Sequence, residues 1–184
     1  GTASTPAELA TYLGVVRELN AGGGLRLYPG SPEIVRRLLR PGDHLMACEL
    51  HPADHALLEA HFRGDARVRT YALDGYQALR SFLPPKPRRG LALIDPPFEE
   101  PDEFDRLVEA LGDAHRRWAS GVFMIWYPIK DRRAVARFHG EVAMTGIPRI
   151  LRAELMVRES PAQDGFDGCG LLIVNAPWKL DEEL

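Results

Sequence analysis

The sequence predicts an α/β protein in which a largely parallel sheet, covered by helices, finishes in an antiparallel hairpin. Three observations predict it. Short apolar runs alternate with helix-period segments from about residue 44 to about residue 144, the rhythm of strand–helix–strand units. Those runs are almost continuously apolar, which suits strands buried on both faces. The last two, "RILRAELMV" (149–157) and "GLLIVNAP" (170–177), have no helical pattern between them. A parallel crossover needs a helix, so this pair should be antiparallel, at an edge of the sheet.

The elements follow in order. Thr5, Pro6 and Glu8 signal a helix start, and Leu9, Tyr12, Leu13, Val16 and Leu19 supply its apolar stripe up to Asn20. Ser31-Pro32-Glu33 opens a second helix with Ile34, Val35, Leu38 and Leu39 on its inner face, closed by Pro41-Gly42. Strands are then expected at 44–50, 68–73, 91–94 and 122–127, and helices at 52–62, 75–83, about 102–119 and about 131–144.

With 184 residues, 45% hydrophobic and 27% charged content, the chain has the composition of a soluble globular domain. Two well-separated cysteines, Cys48 and Cys169, offer neither a disulfide framework nor a four-cysteine zinc site, which fits a reducing cytoplasm. No apolar run has the length of a membrane span, and no signal peptide is evident at the start. His51, His55 and His61 lack the further ligands a metal needs, so no metal is expected. The net charge of -3 conceals a strong preference for Arg, in the pairs Arg36-Arg37, Arg88-Arg89, Arg116-Arg117 and Arg132-Arg133. Arg forks suit phosphate oxygens, though they serve equally on solvated faces.

Ligands in open α/β sheets gather beyond the carboxyl ends of the strands. Glu49, Asp74 and Asp95 follow three successive strands there, a pattern suited to a nucleoside-containing cofactor, one acid for ribose hydroxyls and another for an adenine amine. Gly30 and Ser31 start a helix whose free N–H groups favour a carboxylate, with plain capping by Ser31 the alternative. Asp95-Pro96-Pro97-Phe98 is the most specific signal. The adenine amine is a poor nucleophile, and the Asp95 carboxylate and Pro96 carbonyl would each accept one of its N–H groups, directing the lone pair at an electrophile. The prolines stiffen the corner and offer no competing donor, and Phe98 would stack on the base. "NAPW" (175–178) echoes the corner on the last predicted strand, with Trp178 expected to pack at the edge.

A sheet of this order resembles the Rossmann-like class I S-adenosylmethionine-dependent methyltransferases. More narrowly, "LYPGSP", "ELHPAD", "DGYQAL", "RRGLALIDPPFE", "WYPI" and "NAPWKL", in this order and spacing, resemble the RlmJ-type family of bacterial 23S ribosomal RNA adenine-N6 methyltransferases, from about Ala7 to Leu180. The resemblance implies S-adenosylmethionine as methyl donor and an adenine of 23S ribosomal RNA as substrate. It implies cofactor contacts for Ser31, Glu49, Asp74 and Gly75, and makes Asp95 the catalytic acceptor, with Pro96, Pro97 and Phe98 completing the motif. "NAPW" departs from the family's Asn-Pro-Pro-Trp.

A larger departure concerns the ends. Family members place a first strand and a Gly-rich cofactor loop before a helical insertion, and the chain begins within that insertion, so 1–27 reads as its end and 28–184 as a partial methyltransferase domain. It also stops short of the family's C-terminal tail. The absent strand normally lies between the strands ending at Glu49 and Asp95, so one continuous central sheet is not expected from these residues alone. An incomplete cofactor site, or repair by pairing of two chains as a dimer, is expected instead. Methylation of DNA adenine or of a protein glutamine, and a non-catalytic fragment that binds no cofactor, remain open as alternatives.

Overall fold

The computed structural model describes residues 6–157 and 165–183; Thr5, the expected first cap, lies outside them. The chain packs as two units, Gly1–Asp74 and Gly75–Leu184.

In the first unit a 3-10 turn (Ala7–Leu9) leads into α1 (Ala10–Leu19), closed at Asn20. The Asn20 amide shapes the glycine-rich return: Nδ2 donates to the Val16 and Leu27 carbonyls, and Oδ1 accepts from the Arg26 and Leu27 N–H groups. Val15 is the buried residue of α1, whereas Leu9, assigned to the inner stripe, is 47% exposed. α2 (Ser31–Leu38) departs further from expectation, because Leu38 faces solvent and the buried position is Glu33. Its carboxylate accepts from Arg36 Nε and Nη2, both at 2.7 Å, and from Arg37 Nε at 2.6 Å, with His61 Nε2 at 3.1 Å. So many cationic donors remove the penalty that excludes a lone carboxylate from the interior. β1 (Leu45–Cys48), α3 (Pro52–Phe62) and β2 (Val68–Tyr71) complete the unit as a strand–helix–strand crossover, with β1 and β2 parallel and in register from Leu45–Val68 to Cys48–Tyr71.

The second unit contains α4 (Gly75–Phe82), β3 (Leu91–Ile94), α5 (Glu103–Arg117), β4 (Val122–Ile129), α6 (Arg132–Met144), β5 (Ile150–Met156), β6 (Gly168–Val174) and α7 (Leu180–Glu183). Its sheet runs β3-β4-β6-β5. β3 and β4 are parallel, while β6 is antiparallel to both β4 and β5, the edge hairpin that the crossover rule predicts. Phe123, Ile125 and Tyr127 point from one face of β4 into a core shared with Leu107 and Leu111 of α5, Phe138 of α6, and Leu172 and Val174 of β6. Each such large side chain contributes about 1.5–3 kcal/mol through burial. Gly170 is required where β6 passes Tyr127, since a Cβ there would collide with the ring.

The strands form two sheets, not one: β1 pairs with β2, and β3 begins the four-stranded sheet. Among the described residues β1 and β3 therefore each keep one edge without a strand partner. Met46, Leu91 and Leu93 are substantially exposed. The expectation of strands buried on both faces thus fails at β1 and β3, because no strand or helix of the described residues covers these side chains. Among the described residues no helix is long and apolar enough to cross a membrane.

Candidate active site

The corner after β3 carries the candidate chemistry. Register places Ile94 opposite Ile125, so the next residues, Asp95 and Trp126, leave their paired positions side by side. Asp95 is reached by solvent, and its carboxylate makes no hydrogen bond or ion pair among the described residues. Neighbouring protein atoms nonetheless crowd it, and this desolvation pushes its carboxyl above the ordinary value. The Pro96 carbonyl likewise accepts no hydrogen bond among the described residues. Two acceptors on consecutive residues are left open.

Phe98 completes the corner in a left-handed backbone conformation, φ 52°. For an aromatic residue that geometry costs on the order of 1–3 kcal/mol and persists where the surroundings over-determine it. The surroundings are aromatic. The Phe98 ring lies 5.2 Å from Phe104 and 6.0 Å from Trp126, centroid to centroid, and Phe104 in turn lies 4.8 Å from Phe138 in the core. Sequence reasoning did not single out Phe104 or Trp126 for this role; the signal available for Trp126 was its parallel position one strand over.

The other expected site residues lie mainly in the first unit. Glu49 immediately follows β1, half-buried, and one of its carboxylate oxygens accepts the His51 N–H at 2.8 Å while the other carries no protein hydrogen bond among the described residues. Asp74, also half-buried, follows β2 on the same end of the two-stranded sheet, and Gly75 begins α4. Ser31 is the first residue of α2 and is exposed; Gly30 occupies the capping position and no side chain caps the helix. The alternative of Ser31 as a plain cap is therefore not what forms. Two acids at the ends of adjacent parallel strands, with an uncapped helix start, fit hydroxyl and amine groups on one hand and a carboxylate on the other.

Most of the paired arginines are internally engaged. Arg36 and Arg37 hold Glu33, and Arg37 also pairs with Glu18. Arg116 pairs with Asp113, Arg117 donates to the Arg80 and Leu83 carbonyls, and Arg132 Nε lies 3.6 Å from Asp167. Arg88, Arg89 and Arg133 differ: their guanidinium groups are exposed and make no contact of this kind among the described residues. Among the described residues no cluster of three or more His, Cys, Asp and Glu has metal-binding geometry. "NAPW" corrects its expectation twice. It lies beyond β6, and Trp178 is 89% exposed instead of packed on the edge. Asn175 is the structural residue of that motif, at φ 54° with Nδ2 donating to the Ala119 and Gly121 carbonyls.

Known proteins place this architecture. Residues 2–184 match the family described as ribosomal RNA large subunit methyltransferase D, RlmJ. The ribosomal RNA large subunit methyltransferase J of Escherichia coli is 42% identical over 97% of this chain and 64% of its own length, and that of Haemophilus influenzae is 40% identical over the same shares. The chain thus spans slightly less than two thirds of these curated relatives. Protein LPL1258 of Legionella pneumophila superposes with a TM-score of 0.91 at 30% identity, over 98% of this chain and 67% of that one. A human methyltransferase 10 domain containing protein shares the fold at a TM-score of 0.53 and 11% identity, over 95% of this chain and 85% of its own. With its hairpin-ended α/β sheet and its match along nearly the whole sequence, the chain belongs to the RlmJ family of ribosomal RNA large subunit methyltransferases.

Proposed function

We propose that the protein transfers a methyl group from S-adenosylmethionine to the N6 amine of an adenine in 23S ribosomal RNA, with Asp95 and Pro96 receiving that amine. One observation carries the reading: a crowded but unpartnered carboxylate and an open carbonyl sit on consecutive residues at the end of a parallel strand, beside an aromatic ring. The names of the curated relatives support the substrate class. When bound, S-adenosylmethionine supplies a methyl carbon made electrophilic by its sulfonium.

The rest of the chemistry is assigned to this chain's own residues. Asp95 and the Pro96 carbonyl each accept one N–H of the amine, which turns the nitrogen lone pair out of the ring's conjugation and toward the methyl carbon. The cofactor would supply the methyl carbon and keep the bonding electron pair on its sulfur, and Asp95 takes the proton that the newly methylated nitrogen must lose. Desolvation raises the carboxylate's proton affinity and so favours that last transfer. Phe98 provides a face for the base, with stacking worth about 1–3 kcal/mol. Ser31, Glu49, Asp74 and Gly75 are assigned to the cofactor, the acids to its hydroxyl and amine groups and the α2 start to its carboxylate. Arg88 and Arg89, uncommitted just before β3, are assigned to backbone phosphates, while a base held in structure must first be extruded at a cost of a few kcal/mol.

The test is uptake of labelled methyl by 23S ribosomal RNA, DNA and protein fractions, with the full-length protein and with Asp95→Ala. Labelling of the RNA alone, abolished by the substitution, is the expected outcome. Undiminished RNA labelling by Asp95→Ala refutes the mechanism, and preferential labelling of DNA or protein refutes the substrate.

A further inference from the structure

The seven residues after Asp95 form no helix or strand before α5 begins at Glu103. A loop of that kind does not fix a ring and a carboxylate to the tolerance that methyl transfer demands, so its far end needs an anchor. Glu103 is that end. It is 2% exposed, and its carboxylate accepts the Tyr76 hydroxyl hydrogen bond from α4, with Arg106 Nη1 at 3.6 Å. The Arg106 guanidinium also lies over the Tyr76 ring, 4.6 Å from its centroid.

A buried carboxylate is a costly way to pack α4 on α5, since an apolar side chain of similar size would do it without desolvating a charge. What the carboxylate adds is direction. It fixes one helix start against one particular hydroxyl, and so fixes Phe104, the next residue, whose ring supports Phe98. Tyr76 directly follows Gly75, the first residue of α4, which is assigned to the cofactor. The same hydrogen bond therefore ties the segment of the target amine to the start of α4.

We infer that Tyr76, Glu103 and Arg106 form a positioning cluster that sets the target-amine loop, through Phe104 and Phe98, relative to the Gly75 end of α4. None of the three touches a reacting atom; they act through the residues they hold. The inference rests on the reading of Asp95 as acceptor of the target amine, and its test keeps the two apart.

The decisive variant is the double substitution Tyr76→Phe/Glu103→Leu in the full-length protein, which removes donor and acceptor together and leaves Arg106, whose side chain is 42% exposed, to water and the remaining ring, so stability should be nearly retained. Its kcat for RNA methylation is expected to fall about 10- to 100-fold, the scale of a small misplacement, while KM for S-adenosylmethionine stays within about twofold and the melting temperature is nearly unchanged. Tyr76→Phe alone is expected to lower kcat similarly. Glu103→Gln, which still offers Tyr76 an acceptor, is expected to keep kcat within about threefold of the parent, a rescue that mere packing does not predict. A kcat for the double and the Tyr76→Phe variants within about twofold of the parent, in a preparation where Asp95→Asn is inactive, overturns the positioning cluster and leaves the Asp95 reading intact. Full activity of Asp95→Asn overturns the reading beneath it.

Discussion

Glu33 and Asp95 are both carboxylates crowded by protein, and they stand at opposite extremes. Glu33, buried in the first unit, is saturated: Arg36 first, then Arg37 and His61, donate to it and hold its carboxyl well below the ordinary range. Asp95, in the second unit, is desolvated without compensation, and its carboxyl moves the other way. A carboxylate that builds structure is given partners; one kept for a ligand has its acceptor sites left open, at a cost in stability. Exposure separates them as well, Glu33 being buried and Asp95 open to solvent, but the partners decide the opposite directions of their shifts.

The largest effect expected of any change to this pair is on activity. Asp95→Asn preserves shape but replaces one acceptor oxygen by an NH₂ donor and removes the proposed proton acceptor, so the methylation of 23S ribosomal RNA proposed for the full-length protein should fall about 100-fold or more. Stability should move in the opposite direction. A carboxyl whose folded pKa is raised contributes stability only when protonated, below its unfolded pKa, and that contribution is lost as pH rises through the folded value. The substituted amide has no charge to desolvate. The variant should therefore be more stable than the parent toward urea at neutral pH, with the difference shrinking as pH falls into the carboxylate range. A stability loss at pH 7 would mean that Asp95 has a favourable partner after all.

Glu33→Gln sharpens the contrast from the other side. Here the folded pKa is depressed, so the stabilisation is full above the unfolded carboxylate pKa and is lost as pH falls toward the folded one. At neutral pH the loss should be about 2–3 kcal/mol, because charge-assisted hydrogen bonds to a buried carboxylate are exchanged for weaker neutral ones, and Arg36 and Arg37 each lose one of their counter-charges while keeping Asp65 and Glu18. Urea unfolding across a pH series checks it. The gap between parent and Glu33→Gln should narrow as pH falls below the unfolded carboxylate value, whereas the gap between parent and Asp95→Asn should narrow at higher pH, between the raised folded value and the unfolded one, and with reversed sign.

The two residues also mark where the sequence was readable. The place of Asp95 just after a strand was legible because its setting is local: an apolar strand, a strand end, then two prolines and a ring. The pairing sense from β3 onward was legible for a similar reason, since apolar runs and the presence or absence of a helix between them decide parallel from antiparallel pairing, whereas the insertion of β6 between β4 and β5 was not. Glu33 was not. Helical periodicity assigns a Glu beside Ile34 and Val35 to solvent, and although Arg36 and Arg37 stand at i+3 and i+4, the third partner, His61, arrives from 28 residues away on another helix. Phe98 shows the same limit, because its supporting rings come from α5 and β4. Trp178 was misjudged because an aromatic residue after an apolar run reads as edge packing, whereas Asn175 ends the strand and takes the contacts. The separation of the sheet into two pieces was foreseen only through the family resemblance; nothing in the hydrophobic pattern of β1 or β3 announces an unpaired edge.

The smallest effect concerns the third member of the Glu33 cluster. His61 lies 3.1 Å from the Glu33 carboxylate, but its side chain is 54% exposed, against 27% for Arg36 and 22% for Arg37. Solvent screens such a contact, and the two guanidinium groups continue to satisfy Glu33 when the imidazole is removed. His61→Ala should therefore cost less than about 1 kcal/mol at pH 7, part of it from the lost edge contact between the His61 and Phe62 rings, whose centroids are 4.7 Å apart. In a double-mutant cycle with Glu33→Gln most of that cost should survive, because little of it comes from the carboxylate. A coupling approaching the full effect of Glu33→Gln would instead make His61 a principal partner and shift the saturation of Glu33 from its own helix to the contact between α2 and α3.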